Sequence, residues 1–301
     1  MAGIPFVQEM SFDYGHLAEV APGLRRLVVE NPSRFTFHGT GIYVVGTGEV
    51  AVIDPGPKSP ATMRALLTAL KRETVSAIMI THTHLDHSPA AAELKEVTGA
   101  PTYGFGPHGG GTAGADAVEE GADHLFDPDQ RLNDGETVSG KDWTLQAVHT
   151  PGHTSNHLCY AFEEQDALLS GDHVMGWSTT VVSPPDGNMA DYMASLKKLR
   201  DRREQTYWPT HGPPIRGAHD FVDHLYAHRV DRERQIMACL TDGLTTIEQM
   251  VPGMYAGIPT GLYPAAARSV LAHLLKMVAE GRVETEDALP SVASRFRPSP
   301  A

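Results

Sequence analysis

The sequence predicts an α/β fold over residues 1–219 and a smaller, mostly helical module over residues 220–301. Short apolar runs and amphipathic stretches alternate through the first part of the chain, and polar loops follow the apolar runs. After about residue 220 helical periodicity dominates. With 41% hydrophobic residues, the 301-residue chain has enough apolar side chains for a substantial core.

The regular pattern begins at residues 42–53, where two β-branched runs flank a Gly-Thr-Gly turn and predict a hairpin. Residues 60–71 start with proline and have apolar residues at helical spacing, and residues 75–80 form an apolar run that suits a buried strand. Ser88 is predicted to cap a helix that ends near Val97. Further strands are predicted at 143–148, 157–162, 167–170 and 206–209, and a further helix at 189–200.

The C-terminal module has the pattern of a winged helix. Residues 221–240 are predicted to be helical, Thr245 and Glu248 form a capping-box pair before a short helix, and 264–280 is a further helix. Residues 282–285 would be a wing strand. Residues 221–301 contain eight Lys and Arg against nine Asp and Glu, so we expect the module to pack against the first domain or to form a substrate wall rather than to read DNA.

The charge balance argues against an extended polyanion as partner. The chain has 24 Lys and Arg against 37 Asp and Glu, a net charge of −13, which disfavours a broad basic surface for nucleic acid or anionic lipid but leaves a local basic groove open. The basic residues near the 189–200 helix are interpreted as a solvated helix end, with RNA guidance as the alternative. They are Lys197, Lys198, Arg200, Arg202 and Arg203.

Two cysteines, Cys159 and Cys239, exclude a disulfide scaffold and are most simply reduced thiols. The N-terminus has no signal-peptide pattern, and no apolar stretch is long enough to span a membrane. These features predict a cytoplasmic protein without a membrane partner. The Gly- and Ala-rich segment 104–123 is predicted to be a flexible surface loop, with a mobile cover over the site as the alternative.

One cluster of residues has the character of a metal site. His82, His84, Asp86 and His87 fall within six residues directly after the predicted strand at 75–80. Imidazole and carboxylate groups are ligands that suit Zn²⁺, and this spacing suits two adjacent metals better than one. The alternative, a polar turn with surface histidines, is disfavoured because burying several unpartnered imidazoles is costly.

Three further candidates lie downstream, each at a Gly- or Pro-marked turn after an apolar run. They are His153 in HTPGHTSNH, Asp172 in LLSGDHVMG and His211 in WPTHGPP. Ligands of open α/β sheets gather at strand ends, so we expect these side chains to converge with the first cluster.

The motifs THTHLDH, PGHT, SGD and the late HG, spread over residues 40–215, resemble those of the metallo-β-lactamase superfamily. This resemblance implies an αββα sandwich and a metal-dependent hydrolase. The segments GDHVMGWSTTVVSPPDGNMADYMASLKKL, HGPPI and HRVDRERQI are similar to the branch with a C-terminal winged helix. A mammalian mitochondrial member of that branch is an endoribonuclease on single-stranded RNA, and fungal relatives are thioesterases on carrier-bound polyketides.

The resemblance also implies a ligand set. His82, His84 and His153 would hold one zinc ion, Asp86, His87 and His211 a second, and Asp172 would bridge both. Asp54, at the end of an early strand, would orient a ligand histidine through its ring N–H. Lactam hydrolases have a Cys where this chain reads SGDH. The aspartate is the pattern of hydrolases that act on thioesters and phosphodiesters.

The predicted mechanism needs no Ser or Cys nucleophile. Two Zn²⁺ about 3.5–4 Å apart would share a water and generate hydroxide at neutral pH, with Asp86, His87 and Asp172 as the catalytic residues. Mn or Fe are possible replacements for zinc. We expect a binuclear hydrolase of an ester- or thioester-like substrate, small or carrier-bound. The alternatives are an endoribonuclease, a lactamase and a non-catalytic nucleic-acid-binding regulator. Substrate identity and oligomeric state stay open.

The remaining histidines are secondary candidates. His149 is interpreted as structural, His157 as either a pocket or a supporting residue, and His173 as pointing away from the metals. Trp177 and Tyr192 either line the mouth of the site or pack in the core. Surface or helical positions are predicted for His108, His124, His219, His224, His228 and His273.

Overall fold

The computed structural model describes residues 3–109 and 121–300. Most of the Gly- and Ala-rich loop predicted at 104–123 lies outside the described residues, so the choice between surface loop and cover stays a prediction. Within the described ranges, no helix is long and apolar enough to cross a membrane.

Two β-sheets form the centre of the molecule. The strands of the first follow chain order: β1 (Ala18–Ala21), β2 (Leu24–Val28), β3 (Gly41–Thr47), β4 (Glu49–Ile53), β5 (Thr74–Met79), β6 (Thr102–Gly104) and β7 (Gln130–Arg131). The second has the spatial order β13 (Ile215–Arg216), β12 (Thr206–Pro209), β11 (Ala167–Gly171), β10 (Leu158–Phe162), β9 (Thr144–His149) and β8 (Thr137–Ser139). The predicted strands are therefore present, shifted by a residue at some ends.

Helices cover the outer face of each sheet. Those on the first sheet are α1 (Pro60–Ala69) and α2 (Ala91–Thr98), and those on the second are α3 (Met189–Arg200) and α4 (Ala218–Thr241). Alternate residues of β3 face opposite ways, as strand geometry requires: Val44 packs with the α1 and α2 side chains, whereas Tyr43 and Val45 pack between the sheets. This confirms the αββα sandwich.

The C-terminal module contains α5 (Ile247–Met254), α6 (Tyr263–Ala279) and an antiparallel pair of strands, β14 (Val283–Thr285) and β15 (Phe296–Pro298). This is the predicted winged-helix order. The first half of α4 packs on the second sheet, and its second half, with Ile236 and Leu240, belongs to the core of the module. A boundary at residues 219 and 220 stays a prediction, since one helix serves both cores.

Two predicted helix caps are wrong. Ser88 does not cap α2, whose N-cap residue is Ala90, because the Ser88 hydroxyl instead donates to Asp123 Oδ2 at 2.8 Å. The capping box of α5 lies one residue later than predicted and pairs Thr246 with Gln249. Thr245 is excluded from it because its carbonyl pairs with the backbone of β15.

Candidate metal centre

The seven candidate ligands meet at one edge of the sandwich. His82, His84, Asp86 and His87 lie in the loop after β5, and Asp172 and His211 follow β11 and β12. His153 lies in the turn between β9 and β10. All seven are buried, with at most 8% of any residue exposed. Strand ends from both sheets therefore bring together residues that are up to 129 positions apart.

The first group consists of His82, His84 and His153, whose facing nitrogens lie within 4.8 Å of one another. His84 Nδ1 lies 3.0 Å from His82 Nε2 and 3.2 Å from His153 Nε2. Nitrogens that share a tetrahedral zinc at 2.0–2.1 Å would be about 3.3 Å apart. The spacing therefore suits one shared ion.

The outer nitrogens of this group indicate which tautomers are present. His153 Nδ1 lies 2.7 Å from the Val181 carbonyl and so donates its proton outward. The Thr81 hydroxyl donates to Asp54 at 2.7 Å, so it accepts from His82 Nδ1 at 3.0 Å. His82 Nε2 and His153 Nε2 then both direct lone pairs at His84 Nδ1, which can donate to only one of them. A cation would satisfy all three.

The second group consists of Asp86, His87 and His211. Asp86 Oδ2 lies 3.3 Å from His87 Nε2 and 3.1 Å from His211 Nε2. The outer nitrogens again have acceptors, since His87 Nδ1 lies 3.0 Å from Asp54 Oδ2 and His211 Nδ1 lies 3.2 Å from the Gly39 carbonyl. His87 Nε2 itself is buried and has no hydrogen-bond partner within the described parts of the chain. A buried polar atom with no partner is costly unless a ligand occupies the site.

Asp172 lies between the two groups. Its Oδ2 is 3.9 Å from His153 Nε2, 3.6 Å from His87 Nε2 and 3.3 Å from His211 Nε2. Its other oxygen, Oδ1, is buried and has no hydrogen-bond partner among the described residues. A carboxylate in this position fits contact with two ions at once.

The electrostatics of the cluster favour a cation. Burial acts to lower the pKa of His211, but the Asp172 and Asp86 carboxylates outweigh it and raise that pKa to about 10. Burial, reinforced by neighbouring imidazoles, holds the pKa of His82 and His84 well below the usual value. One side of the cluster therefore offers neutral imidazoles, while the carboxylates on the other side require positive charge.

Asp54 anchors the cluster from below. It directly follows β4, and its backbone adopts the left-handed conformation, with a φ of 48°. Its Oδ1 accepts the Thr81 amide at 2.8 Å, and its Oδ2 contacts the Thr81 hydroxyl and His87 Nδ1. The expected orienting contact to a histidine is thus present, and Thr81 is an additional support that the sequence analysis did not identify.

His157 contacts a candidate ligand from outside the cluster, whereas His149 packs against an aromatic side chain. His157 Nε2 accepts the Asp172 amide at 3.1 Å, and His157 Nδ1 lies 2.9 Å from Thr150 Oγ1. Of the two positions considered for His157, the structure therefore shows the supporting one, behind Asp172. His149 stacks on Phe105 with ring centroids 4.0 Å apart, in agreement with a structural position.

The other secondary candidates divide between the core and the cleft. His173 turns away from the cluster, as predicted, and packs on Tyr192 at 4.6 Å. Tyr192 is fully buried, whereas Trp177 lines the cleft. The surface position predicted for His108 is wrong, because its side chain is largely buried with Nδ1 3.0 Å from Thr83 Oγ1.

An open cleft lies over the cluster. Its floor contains five of the seven candidate ligands, and Trp177 in its wall stacks on Phe37 at 4.7 Å. Its other lining side chains are Arg34, Phe35, Thr36, Met175, Ser178, Thr179 and Val181.

The thiols offer no competing nucleophile. Burial raises the pKa of Cys159 to about 12, which keeps it protonated at neutral pH. Cys239 is partly buried in the C-terminal module, away from the cleft.

Two supports of the cluster went unrecognised in the sequence. Thr180 contacts the Asp172 carbonyl, and Arg229 of α4 contacts Thr180. Thr180 lies in the segment that is similar to the winged-helix branch, but its residue type alone predicts no role. Arg229 has a detectable signal, because it lies among the apolar positions of a helix, four residues after Leu225.

The metallo-β-lactamase superfamily matches residues 36–211, and the β-lactamase-associated winged helix domain matches residues 246–291. The chain therefore belongs to the metallo-β-lactamase superfamily and is a metal-dependent hydrolase.

Named relatives are similar along most of their length. The chain is 27% identical to an atrochrysone carboxyl ACP thioesterase, dmxR1, of Cryptosporiopsis sp., over 89% of this chain and 83% of that protein. It is 29% identical to the β-lactamase-like protein 2 homolog of Caenorhabditis elegans, over 89% and 88%. The structure of a β-lactamase domain protein from Burkholderia ambifaria shares the fold, with a TM-score of 0.77, 22% identity and coverage of 97% and 96%.

Proposed function

We propose that the chain is a binuclear metal hydrolase that cleaves an ester or thioester of a small or carrier-bound substrate. The observation that carries this proposal is the pair of buried three-residue groups with one carboxylate between them. In this proposal the first group would hold one ion and the second group another, and Asp172 would contribute to both sites. Zinc suits the His and Asp donors, and Mn or Fe would also be accepted.

Hydrogen bonds at the outer ring nitrogens fix the orientation of the candidate histidine ligands. Asp54 keeps the His87 proton on Nδ1, so that Nε2 faces the centre, and the backbone carbonyls of Val181 and Gly39 do the same for His153 and His211. When bound, two zinc ions supply hydroxide at neutral pH and polarise the scissile carbonyl. Asp86, His87 and Asp172 are the proposed catalytic residues, since their inner atoms face the shared point.

The shape and charge of the cleft support a thioester rather than a long polyanion. Its walls are largely apolar, with Phe35, Met175, Trp177 and Val181, and in the described part of the chain Arg34 is the only lysine or arginine that lines it. A carrier-bound thioester would place its acyl chain on the apolar wall. The relative dmxR1 is named as an ACP thioesterase, which supports the same substrate class.

The basic residues considered for RNA guidance are mostly neutralised by neighbours. Lys198 Nζ pairs with Asp134, Arg202 with Glu204 at 2.7 Å, and Arg203 with Asp166 at 2.8 Å. These contacts favour the solvated helix end over an RNA track. RNA cleavage is therefore the alternative that the experiment must test.

A substrate panel tests the proposal. Purified, zinc-loaded protein would be assayed on an acyl thioester, a lactone, nitrocefin, a phosphodiester and single-stranded RNA. We expect the thioester to be cleaved fastest. Preferential cleavage of RNA would establish the endoribonuclease reading, and hydrolysis of nitrocefin alone would establish a lactamase.

The metal assignment has its own test. His82→Ala and Asp172→Ala are expected to abolish hydrolysis and to lower bound zinc, measured by mass spectrometry, below two ions per chain. The exposed His16 provides a matched control, and His16→Ala should keep both activity and zinc. Two ions per chain in both site variants would refute the ligand assignment.

A further inference from the structure

Arg229 is a buried cation without a carboxylate partner. It lies in α4, exposes 3% of its surface, and makes no ion pair with any residue that the structure describes. Removing a charged group from water costs several kcal/mol unless other contacts compensate. The contacts that Arg229 does make therefore indicate what its burial achieves.

Those contacts lead to the loop after β11. One terminal nitrogen of Arg229 donates to the Thr180 carbonyl, and the guanidinium carbon lies 5.1 Å from the centre of the Tyr192 ring. Its Nε has no partner in the described ranges. The tyrosine face stabilises the charge without competing for the nitrogen that holds Thr180.

Thr180 and its neighbour hold two of the candidate ligands. The Thr180 hydroxyl lies 2.8 Å from the Asp172 carbonyl and 3.0 Å from the His173 carbonyl, and shares its proton between them. The next residue, Val181, accepts the Nδ1 proton of His153 at 2.7 Å. A shift of this two-residue segment would therefore move both Asp172 and His153.

We infer that Arg229 is a positioning residue through which the C-terminal helices hold Asp172 and His153 in place for metal binding. Its route is a backbone contact to Thr180, then the Thr180 hydroxyl and the Val181 carbonyl. The inference rests on the proposed metal centre. It gives α4, the helix that both cores share, a part in the site that does not involve nucleic acid.

Two other arginines also connect the C-terminal module with the first domain. Arg268 of α6 donates to the Pro184 carbonyl at 3.0 Å, and Arg34, in the cleft wall, donates to the Gly261 carbonyl at 3.3 Å. The module therefore contacts both the loop after β11 and the opposite rim of the cleft. Arg229 differs from these two in reaching the segment that contacts the candidate ligands.

The test compares two arginines of one helix. Arg232 donates to the Met254 carbonyl and lies over Tyr255 at 4.2 Å, so its contacts stay inside the module. Zinc would be titrated calorimetrically into metal-depleted full-length protein. Arg229→Met should raise the dissociation constant of at least one zinc ion about 10- to 100-fold, as loss of an outer support of a metal ligand does. Arg232→Met should leave both constants close to wild type.

Two further variants keep the test decisive if Arg229→Met does not fold. Thr180→Val keeps the side-chain shape but removes the hydroxyl that holds Asp172, and it should weaken zinc binding in the same direction. Arg229→Lys keeps a donor and should bind zinc with an affinity between wild type and Arg229→Met. The effects of Thr180→Val and Arg229→Lys should be non-additive in the double variant, because both act on one path.

The outcomes separate this inference from the proposed function. If wild-type protein bound no zinc, the proposed centre itself would fall. A second outcome would refute only the role of Arg229. In that outcome wild type binds two zinc ions and Arg229→Met binds them equally well. If Arg229→Met does not fold, equal binding by Thr180→Val and by Arg229→Lys has the same meaning. Strict additivity in the double variant would likewise refute the path through Thr180.

Discussion

The cleft edge and the C-terminal module each bury a carboxylate, but they neutralise it differently. Glu233 of α4 is held by Lys276 at 2.8 Å and by Arg282. Among the described residues, the Asp172 carboxylate contacts only imidazoles, and one of its oxygens has no hydrogen-bond partner there. Cationic side chains of the chain balance the charge of Glu233, whereas in the proposed centre a metal cation would balance the charge of Asp172.

The largest effect should come from removing that cation. Treatment with EDTA is expected to abolish hydrolysis and to lower the melting temperature, because a ligand that binds only the folded state stabilises it by about 4 kcal/mol at a thousand times its Kd. Calorimetric melting and an activity assay, before and after zinc is restored, would measure both. Full activity in metal-free protein would contradict a metal-dependent role for Asp172.

Matched amide substitutions should separate the two carboxylates. Asp172→Asn is expected to reduce kcat/KM more than about 100-fold, beyond the loss typical of an outer support. Glu233→Gln should keep kcat/KM near wild type but destabilise the fold by about 1–3 kcal/mol in urea, because Lys276 and Arg282 lose their partner. Equal loss of activity in both variants would show that the two carboxylates do not differ in role.

The pH dependence of stability sharpens the comparison. Burial acts to raise the pKa of Glu233, but the neighbouring His273 and the hydrogen bonds from Lys276 and Arg282 outweigh it and lower the pKa from 4.5 to about 2. A depressed pKa in the folded state contributes stability that is present above about pH 4.5 and is lost as the pH falls towards 2. The difference in unfolding free energy between wild type and Glu233→Gln should therefore shrink across this range. A difference in unfolding free energy that stayed constant with pH would contradict a depressed pKa for Glu233.

The smallest effect concerns the rim of the cleft. Arg34 should pair with an anionic group of the substrate, such as the phosphate of a carrier's prosthetic arm. Arg34→Ala is expected to raise KM for a phosphate-bearing thioester about fivefold, the size of an exposed ion pair, and to leave a neutral thioester unchanged. Arg34→Lys should retain most of the binding. An equal rise for both substrates would show that the guanidinium only shapes the cleft.

Much of the fold and the candidate site was predictable because the relevant signals are local. Four of the seven candidate ligands lie within one loop, and the apolar run before it predicts the strand that buries it. The cap at Ser88 failed for a tertiary reason, since its hydroxyl contacts Asp123, 35 positions away. His157 was left open because its partner, the Asp172 amide, is fixed only when β10 and β11 are adjacent.

By itself, the sequence determined the strand and helix order, the two-part organisation and the set of buried imidazoles and carboxylates. These features depend on periodicity and residue chemistry, which are local properties of the chain. Only the tertiary structure decided which atoms face one another and which tautomers they adopt. It also placed Arg229 of α4 against Thr180, 49 positions earlier, a contact that no local pattern encodes. Hydrogen bonds between distant segments depend on how the sheets and helices pack, and packing is a property of the whole fold.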